Sequence, residues 1–160
     1  MYKWSGIIIF AALVSCRQLD KTESSFPLEA KTKMMETDRA FSKMSAEKGM
    51  RKAFIEYMDN DGALLRPDQY PLLGADAIDY LSRINDSSFN LQWEPQKGYI
   101  AKSGDLGYTF GVYSLKPSEQ DTILYGTYVS IWKKQADGSW KFVLDTGNEG
   151  IGAQEADSAK

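Results

Sequence analysis

The chain has 160 residues, with 22 acidic and 19 basic side chains, no histidine and one cysteine, and its formal net charge is −3. This length suits one domain with a sizeable core. The absence of histidine excludes Ser-His-Asp and Cys-His catalysis and histidine-based metal sites. A single cysteine excludes an intrachain disulfide, and an acidic chain without a Lys/Arg run argues against nucleic acid as a partner. The sequence has no Asp-rich loop of the calcium-binding type, so we predict neither a metal nor a cofactor.

The first sixteen residues have the layout of a secretory signal peptide. Lys3 gives a positive start, residues 6–14 are apolar, and the small Ser15 precedes Cys16. The apolar run is too short to span a bilayer, which needs about 20 residues. The segment resembles a bacterial lipoprotein signal, in which the cysteine becomes the lipidated first residue. We therefore predict a signal peptide over residues 1–15 and membrane attachment through lipidated Cys16, with a buried structural thiol as the alternative.

The residues after Cys16 indicate a tether and then a folded domain. Residues 16–27 are polar and predict a tether, residues 28–149 the domain, and residues 150–160 a flexible tail. Arg17 follows the cysteine where an aspartate could stand, which resembles lipoproteins that are sorted to an outer membrane. The predicted location is therefore the bacterial cell envelope, with a lipid anchor in an outer membrane.

The first half of the domain predicts three helices and one short strand. Helical spacing of apolar residues covers 28–48 and 50–58, and Met34, Asp38 and Phe41 share one side of the first helix. The sequence Asp-Asn-Asp-Gly at 59–62 predicts a turn that ends the second helix. A short strand is predicted over 63–66 and a third helix over 74–84.

The second half predicts a four-stranded antiparallel meander. Aromatic and β-branched residues dominate segments 89–101, 107–115, 123–134 and 140–146, and an Asp-Gly pair at 137–138 predicts a hairpin between the last two. Helices followed by a meander predict an α+β domain with the helices against one face of the sheet. Gly107, Gly111 and Gly126 lie within strand patterns and indicate bends in a strongly curved sheet.

A family resemblance follows from two segments. Residues 126–145, Gly-Thr-Tyr-Val-Ser-Ile-Trp-Lys-Lys-Gln-Ala-Asp-Gly-Ser-Trp-Lys-Phe-Val-Leu-Asp, and the helical Asp38-Arg39-Ala40-Phe41 resemble the nuclear transport factor 2-like superfamily. The more specific resemblance is to its SnoaL-like group, known as domain of unknown function 4440, over about residues 28–149. It implies a cone-shaped fold in which a curved sheet and helices enclose a pocket, often in a homodimer, so a second copy is a candidate partner. Members include ketosteroid isomerase, polyketide cyclases and binding modules without chemistry, so the resemblance leaves the activity open.

Asp38 is the candidate catalytic residue. It shares a helix face with Met34 and Phe41, so we expect apolar surroundings that would raise its pKa and suit it as a general base. The alternative is a structural carboxylate that pairs with a basic side chain or the backbone and orders the helix.

Aromatic side chains complete the candidate site. The predicted ligand-binding residues are Asp38, Tyr57, Trp93, Tyr108, Tyr128 and Trp132. An aromatic stripe of this kind is more often core than site. Asp145 alternates away from Trp140, Phe142 and Leu144, which predicts an outward side chain paired with Lys133 or Lys141.

Two functions stay open at this stage. The first is an envelope-anchored module that binds a small, largely apolar ligand or a protein partner. The second is an isomerase or cyclase of the proton-transfer type, similar to ketosteroid isomerase, with Asp38 as base and a tyrosine as donor. The missing histidine and the lack of a second clearly placed carboxylate favour the first.

Overall fold

The computed structural model describes residues 26–151 and, within them, has helices packed on one curved six-stranded sheet. The helices are α1 (Phe26–Lys48), α2 (Met50–Tyr57) and α3 (Gly74–Arg83), and a short 3-10 helix covers Asp86–Ser88. The strands are β1 (Met58–Leu65), β2 (Leu72–Leu73), β3 (Phe89–Ile100), β4 (Leu106–Pro117), β5 (Leu124–Lys134) and β6 (Trp140–Glu149). This arrangement confirms the predicted α+β class. The predicted signal peptide and Cys16 lie outside the described residues, as do most of the tether and of the tail.

The sheet is mixed rather than a pure meander. Its strand order is β2-β1-β6-β5-β4-β3, and the antiparallel meander from β3 to β6 agrees with the prediction. However, β1 is longer than the predicted strand and pairs in parallel with β6. The turn predicted at 59–62 is wrong, because these residues lie inside β1. One hydrogen bond typical of a turn is still present, because Asp59 Oδ1 accepts a bond from the Asp61 N–H at 3.1 Å. The register of β1 with β6 shifts between Met58 and Ala63.

A glycine separates the first two helices. Gly49 has φ of +91°, a left-handed conformation that ends α1 and lets α2 leave in a new direction. The carboxylate of Asp86 accepts a bond from the Arg51 N–H at 2.9 Å in the first turn of α2. The 3-10 helix before β3 therefore stabilises the start of α2.

The core lies between the helices and the concave face of the sheet. Phe41 of α1 is at its centre, with ring centroids 4.7 Å from Phe54 and 4.5 Å from Trp93, both in edge-to-face geometry. Trp132 is fully buried, and its indole N–H donates to Thr109 Oγ1 at 2.8 Å. Such aromatic pairs add about 0.5–1.5 kcal/mol each to the free energy gained by burying their area.

Glycines on the inner face stand opposite large side chains. Gly107 pairs with Trp132, Gly111 with Tyr128, and Gly126 with Tyr113. A Cβ on Gly126 would overlap the ring of Tyr113, so this phenol lies over the backbone of the next strand. The small residue thus makes room for an aromatic side chain that lines a cavity on the inner face of the sheet.

Candidate functional site

A cavity of about 170 Å³ opens between α2, the segment after β1 and the concave face of the sheet. Its wall is mostly aromatic and aliphatic, with Phe54, Trp93, Tyr113, Tyr128, Leu91 and Leu115 among the lining residues. A concave, largely apolar space with a few polar groups is the usual form of a small-molecule site.

Asp38 lies behind this wall and does not line the cavity. The carboxylate is fully buried, and its Oδ1 accepts a bond from Trp93 Nε1 at 2.7 Å while its Oδ2 accepts one from Tyr128 Oη at 2.8 Å. Burial raises the pKa of Asp38, and the bonds from Trp93, Thr109 and Tyr128 oppose that rise because they stabilise the ionised form. Asp38 therefore fixes the orientation of two aromatic wall residues.

The phenol of Tyr128 is held neutral. Burial and the neighbouring Asp38 carboxylate raise the pKa of Tyr128 far above its usual value. The Tyr128 O–H donates to Asp38, as does the Trp93 indole N–H. Both polar hydrogens are thus directed to a buried carboxylate, and the cavity is left with the aromatic rings.

Serine side chains on α1 form hydrogen bonds with the backbone of β3, the strand that carries Trp93. Ser42 Oγ donates to the Trp93 carbonyl at 2.6 Å and accepts from the Trp93 N–H at 2.7 Å, and Ser45 Oγ donates to the Leu91 carbonyl at 2.7 Å. Asp38, Ser42 and Ser45 recur at helical spacing and so face β3 together. This polar stripe positions the part of β3 that lines the cavity.

Arg66 and Asp145 form a buried ion pair in the wall. Arg66 Nη2 donates to Asp145 Oδ1 at 2.8 Å, and Ser130 Oγ donates to Asp145 Oδ2 at 2.7 Å. Arg66 Nη1 also donates to the carbonyls of Leu65 at 2.9 Å and Asp145 at 3.1 Å. The two side chains are only 16% and 8% exposed, so the pair is largely withdrawn from water.

The outward position predicted for Asp145 is wrong, and so is its pairing with Lys133 or Lys141. Ile131 of β5 pairs with Leu144, whereas the next residue, Trp132, pairs with Phe142, so Val143 is an extra residue in β6. Such a bulge shifts the alternation of faces by one residue. Asp145 therefore turns to the inner face and meets Arg66.

The predicted site residues divide into two groups. Trp93 and Tyr128 line the cavity, and Asp38 binds both of them from behind. The other three predicted residues, Tyr57, Tyr108 and Trp132, do not line this cavity. Tyr57 is half-buried and stacks on Phe41 at 5.0 Å between centroids. Tyr108 is on the outer face of the sheet, where it is 41% exposed and stacks on Tyr99 at 5.1 Å, and Trp132 is part of the core.

Two features bear on metals and membranes. Among residues 26–151, no group of three acidic or cysteine side chains is arranged to hold a metal ion. In the same part of the chain, no helix has both the length and the apolar character needed to cross a membrane.

No protein-family model matches the chain, and no curated protein matches it in sequence. Solved structures do match. A nuclear transport factor 2-like protein with a cystatin-like fold from Novosphingobium aromaticivorans has a TM-score of 0.64 and 13% identity, over 82% of this chain and 90% of that one. The hexachlorocyclohexane dehydrochlorinase LinA-type3 from Novosphingobium barchaimii has a TM-score of 0.60 and 13% identity, over 80% of this chain and 91% of that one. A ketosteroid isomerase-like protein from Erwinia carotovora atroseptica has a TM-score of 0.50 and 13% identity, over 79% of this chain and 92% of that one.

These similarities define the class of protein by its fold. A helical layer on a curved mixed sheet, with a cavity between them, is the cone-shaped fold of nuclear transport factor 2-like proteins. The chain has this fold, as the sequence resemblance implied.

Proposed function

We propose that this protein is a lipid-anchored binding module of the bacterial cell envelope whose cavity takes a small, largely apolar ligand. The observation that carries the proposal is the state of the polar groups around the cavity. The Trp93 indole N–H and the Tyr128 O–H both donate to Asp38. Arg66 forms an ion pair with Asp145. The surface left for a ligand is mainly aromatic and aliphatic, so apolar contact would supply most of the binding free energy. The proposal also includes membership of the SnoaL-like group, which rests on the sequence resemblance over about residues 28–149.

The same geometry argues against proton transfer by Asp38. A general base must lie within hydrogen-bond reach of the proton that it removes. Asp38 is fully buried behind Trp93 and Tyr128, and the proton of the candidate tyrosine donor is given to Asp38 itself. Asp145 does line the cavity, but both of its carboxylate oxygens accept bonds from Arg66 and Ser130. Binding therefore has more support than an isomerase or cyclase activity.

A ligand screen tests the cavity. We expect at least one small neutral apolar compound to raise the melting temperature of the full-length chain in a non-ionic detergent. At a hundredfold excess over Kd, binding adds about 2.7 kcal/mol to the free energy of unfolding, which corresponds to a shift of several degrees. Leu115→Trp, which fills the cavity from β4, is expected to abolish the shift, as measured by differential scanning fluorimetry.

The matched control is Leu106→Trp. Leu106 lies on the same strand but on the outer face, where it is 45% exposed. This variant should keep the ligand-induced shift. A shift that survives in Leu115→Trp, or a set of apolar compounds that leaves the wild-type melting temperature unchanged, would contradict the binding proposal.

The lipid anchor has its own test. In cells given labelled palmitate, the wild-type chain is expected to take up label and to fractionate with membranes, whereas Cys16→Ser should lose both properties, because Cys16 carries the only thiol. Adding Ser24→Cys to Cys16→Ser restores a thiol outside the signal context and should not restore the label. Palmitate uptake by Cys16→Ser would disprove the anchor.

A further inference from the structure

We propose that the ligand of this cavity is a small organic cation with alkyl groups on its charged centre. The inference rests on the proposed binding function and narrows the class of ligand. Two features carry it: the aromatic wall and the surplus of carboxylates around that wall.

The wall presents several aromatic rings to one small space. Trp93 has ring centroids 6.0 Å from Tyr128 and 5.9 Å from Phe54, and Tyr113 also lines the cavity. The face of an aromatic ring attracts cations, and tryptophan does so most strongly. The wall already accommodates one positive charge in this way, because Arg66 Cζ lies 5.7 Å from the ring centroid of Phe54.

The charges around the cavity leave a net negative field. Arg66 is balanced by Asp145 at 2.8 Å, which makes that pair neutral overall. Asp38 lies behind Trp93 and Tyr128, and the bonds that its two oxygens accept from the indole N–H and the phenol O–H stabilise its ionised form. Glu149 lies in the cavity wall near the surface and has no ion-pair partner among the described residues. An organic cation would neutralise this field.

The environment of Tyr128 is consistent with such a field. After burial, the causes that raise its pKa are the carboxylates of Asp38, Asp145 and Glu94. The bonds that Asp38 accepts also polarise the indole and the phenol, which makes their rings more electron-rich.

Anionic and neutral ligands fit the cavity less well. An anion would be repelled by Glu149 in the wall and by Asp38 behind it. The Arg66 guanidinium that could receive the anion already donates to Asp145 and to two backbone carbonyls. A neutral ligand gains nothing from the carboxylates. Alkyl groups on the cation would contact the aliphatic and aromatic wall while the charge interacts with the rings.

The test uses three probes of nearly one shape. Choline, its neutral isostere 3,3-dimethylbutan-1-ol and the anion 3,3-dimethylbutanoate differ mainly in charge, and none absorbs where tryptophan does. We expect intrinsic tryptophan fluorescence of the full-length chain in a non-ionic detergent to report choline binding about three- to thirtyfold tighter than that of the neutral isostere. The anion should bind most weakly.

Two variants locate the effect. Glu149→Gln should reduce the preference for choline over the neutral isostere, because it removes the carboxylate charge and keeps the size of the side chain. Asp105→Asn removes an exposed carboxylate in the turn before β4, at the other end of that strand from Leu115, and should change neither affinity. Because Glu149 is exposed, its variant is expected to fold.

The outcomes separate this inference from the binding function. Equal affinity for choline and its isostere, tighter binding of the anion, or no choline binding by a protein that responds to apolar ligands each overturns the cation inference alone. Loss of the choline preference in Asp105→Asn but not in Glu149→Gln overturns it as well. If neither choline nor any apolar ligand binds, the proposed function itself fails.

Discussion

Replacing Asp38 with alanine is expected to lower the free energy of unfolding by about 3 kcal/mol. The substitution removes the acceptor that Trp93, Tyr128 and Thr109 share, and it leaves the Trp93 indole N–H and the Tyr128 O–H without a partner. Each unsatisfied buried donor costs about 1–3 kcal/mol. The desolvation cost of the carboxylate, which is relieved in the variant, offsets part of this loss. Urea-induced unfolding, followed by tryptophan fluorescence, measures the change.

Asp121→Ala provides the comparison for this experiment. Asp121 is exposed in the loop between β4 and β5, so its removal should change stability by less than about 0.5 kcal/mol. If Asp38→Ala is as stable as Asp121→Ala, then Asp38 does not hold the aromatic wall. If Asp38→Ala binds apolar ligands normally despite its lower stability, then the wall does not need Asp38 to form the cavity.

Local patterns in the sequence predicted the parts of the fold that depend on neighbouring residues. The helices α1 and α3 and the strands β3 to β6 follow from periodicity and from turn residues, and their observed bounds differ from the predicted ones by a few residues at most. The break between α1 and α2 was similarly predictable, because Gly49 interrupts the helical pattern.

Two non-local features were not predictable in this way. The parallel pairing of β1 with β6 joins segments that are distant in the chain, and the Asp-Asn-Asp-Gly sequence within β1 has the composition of a turn. The bulge at Val143 depends on how β6 registers against β5, and strict alternation along β6 gives the opposite face for Asp145.

These two features explain why Arg66 and Asp145 were not predicted as site residues. Asp38 and Tyr128 follow from helix-face and strand-face spacing, which are local properties. Arg66 reaches the cavity only because β1 lies beside β6, and Asp145 reaches it only because of the bulge. Nothing in the sequence next to Arg66 indicates that its side chain is buried. The ion pair between Arg66 and Asp145 could therefore be found only from the tertiary structure.

The second large effect is expected at this ion pair. Arg66→Met should lower the free energy of unfolding by about 3–5 kcal/mol, because it leaves the buried Asp145 carboxylate with Ser130 and without its cation. Adding Asp145→Asn removes the unpaired charge and should recover a large part of that loss. If the two residues did not interact, the loss of stability in the double variant would equal the sum of the losses in Arg66→Met and Asp145→Asn. That result would contradict the proposed ion pair.

Arg39 and Glu94 provide a control with the same bond length and different burial. Their ion pair also measures 2.8 Å, but the two side chains are 48% and 67% exposed. Water screens such a pair, so Arg39→Met should cost about 1 kcal/mol or less. Since the two arginines make bonds of equal length to carboxylates, a large difference between Arg66→Met and Arg39→Met in urea-induced unfolding would arise from burial and from the two backbone carbonyls that Arg66 also binds. Equal losses in the two variants would instead mean that the cavity wall is as well hydrated as the protein surface, and the carboxylates behind it would then attract a ligand only weakly.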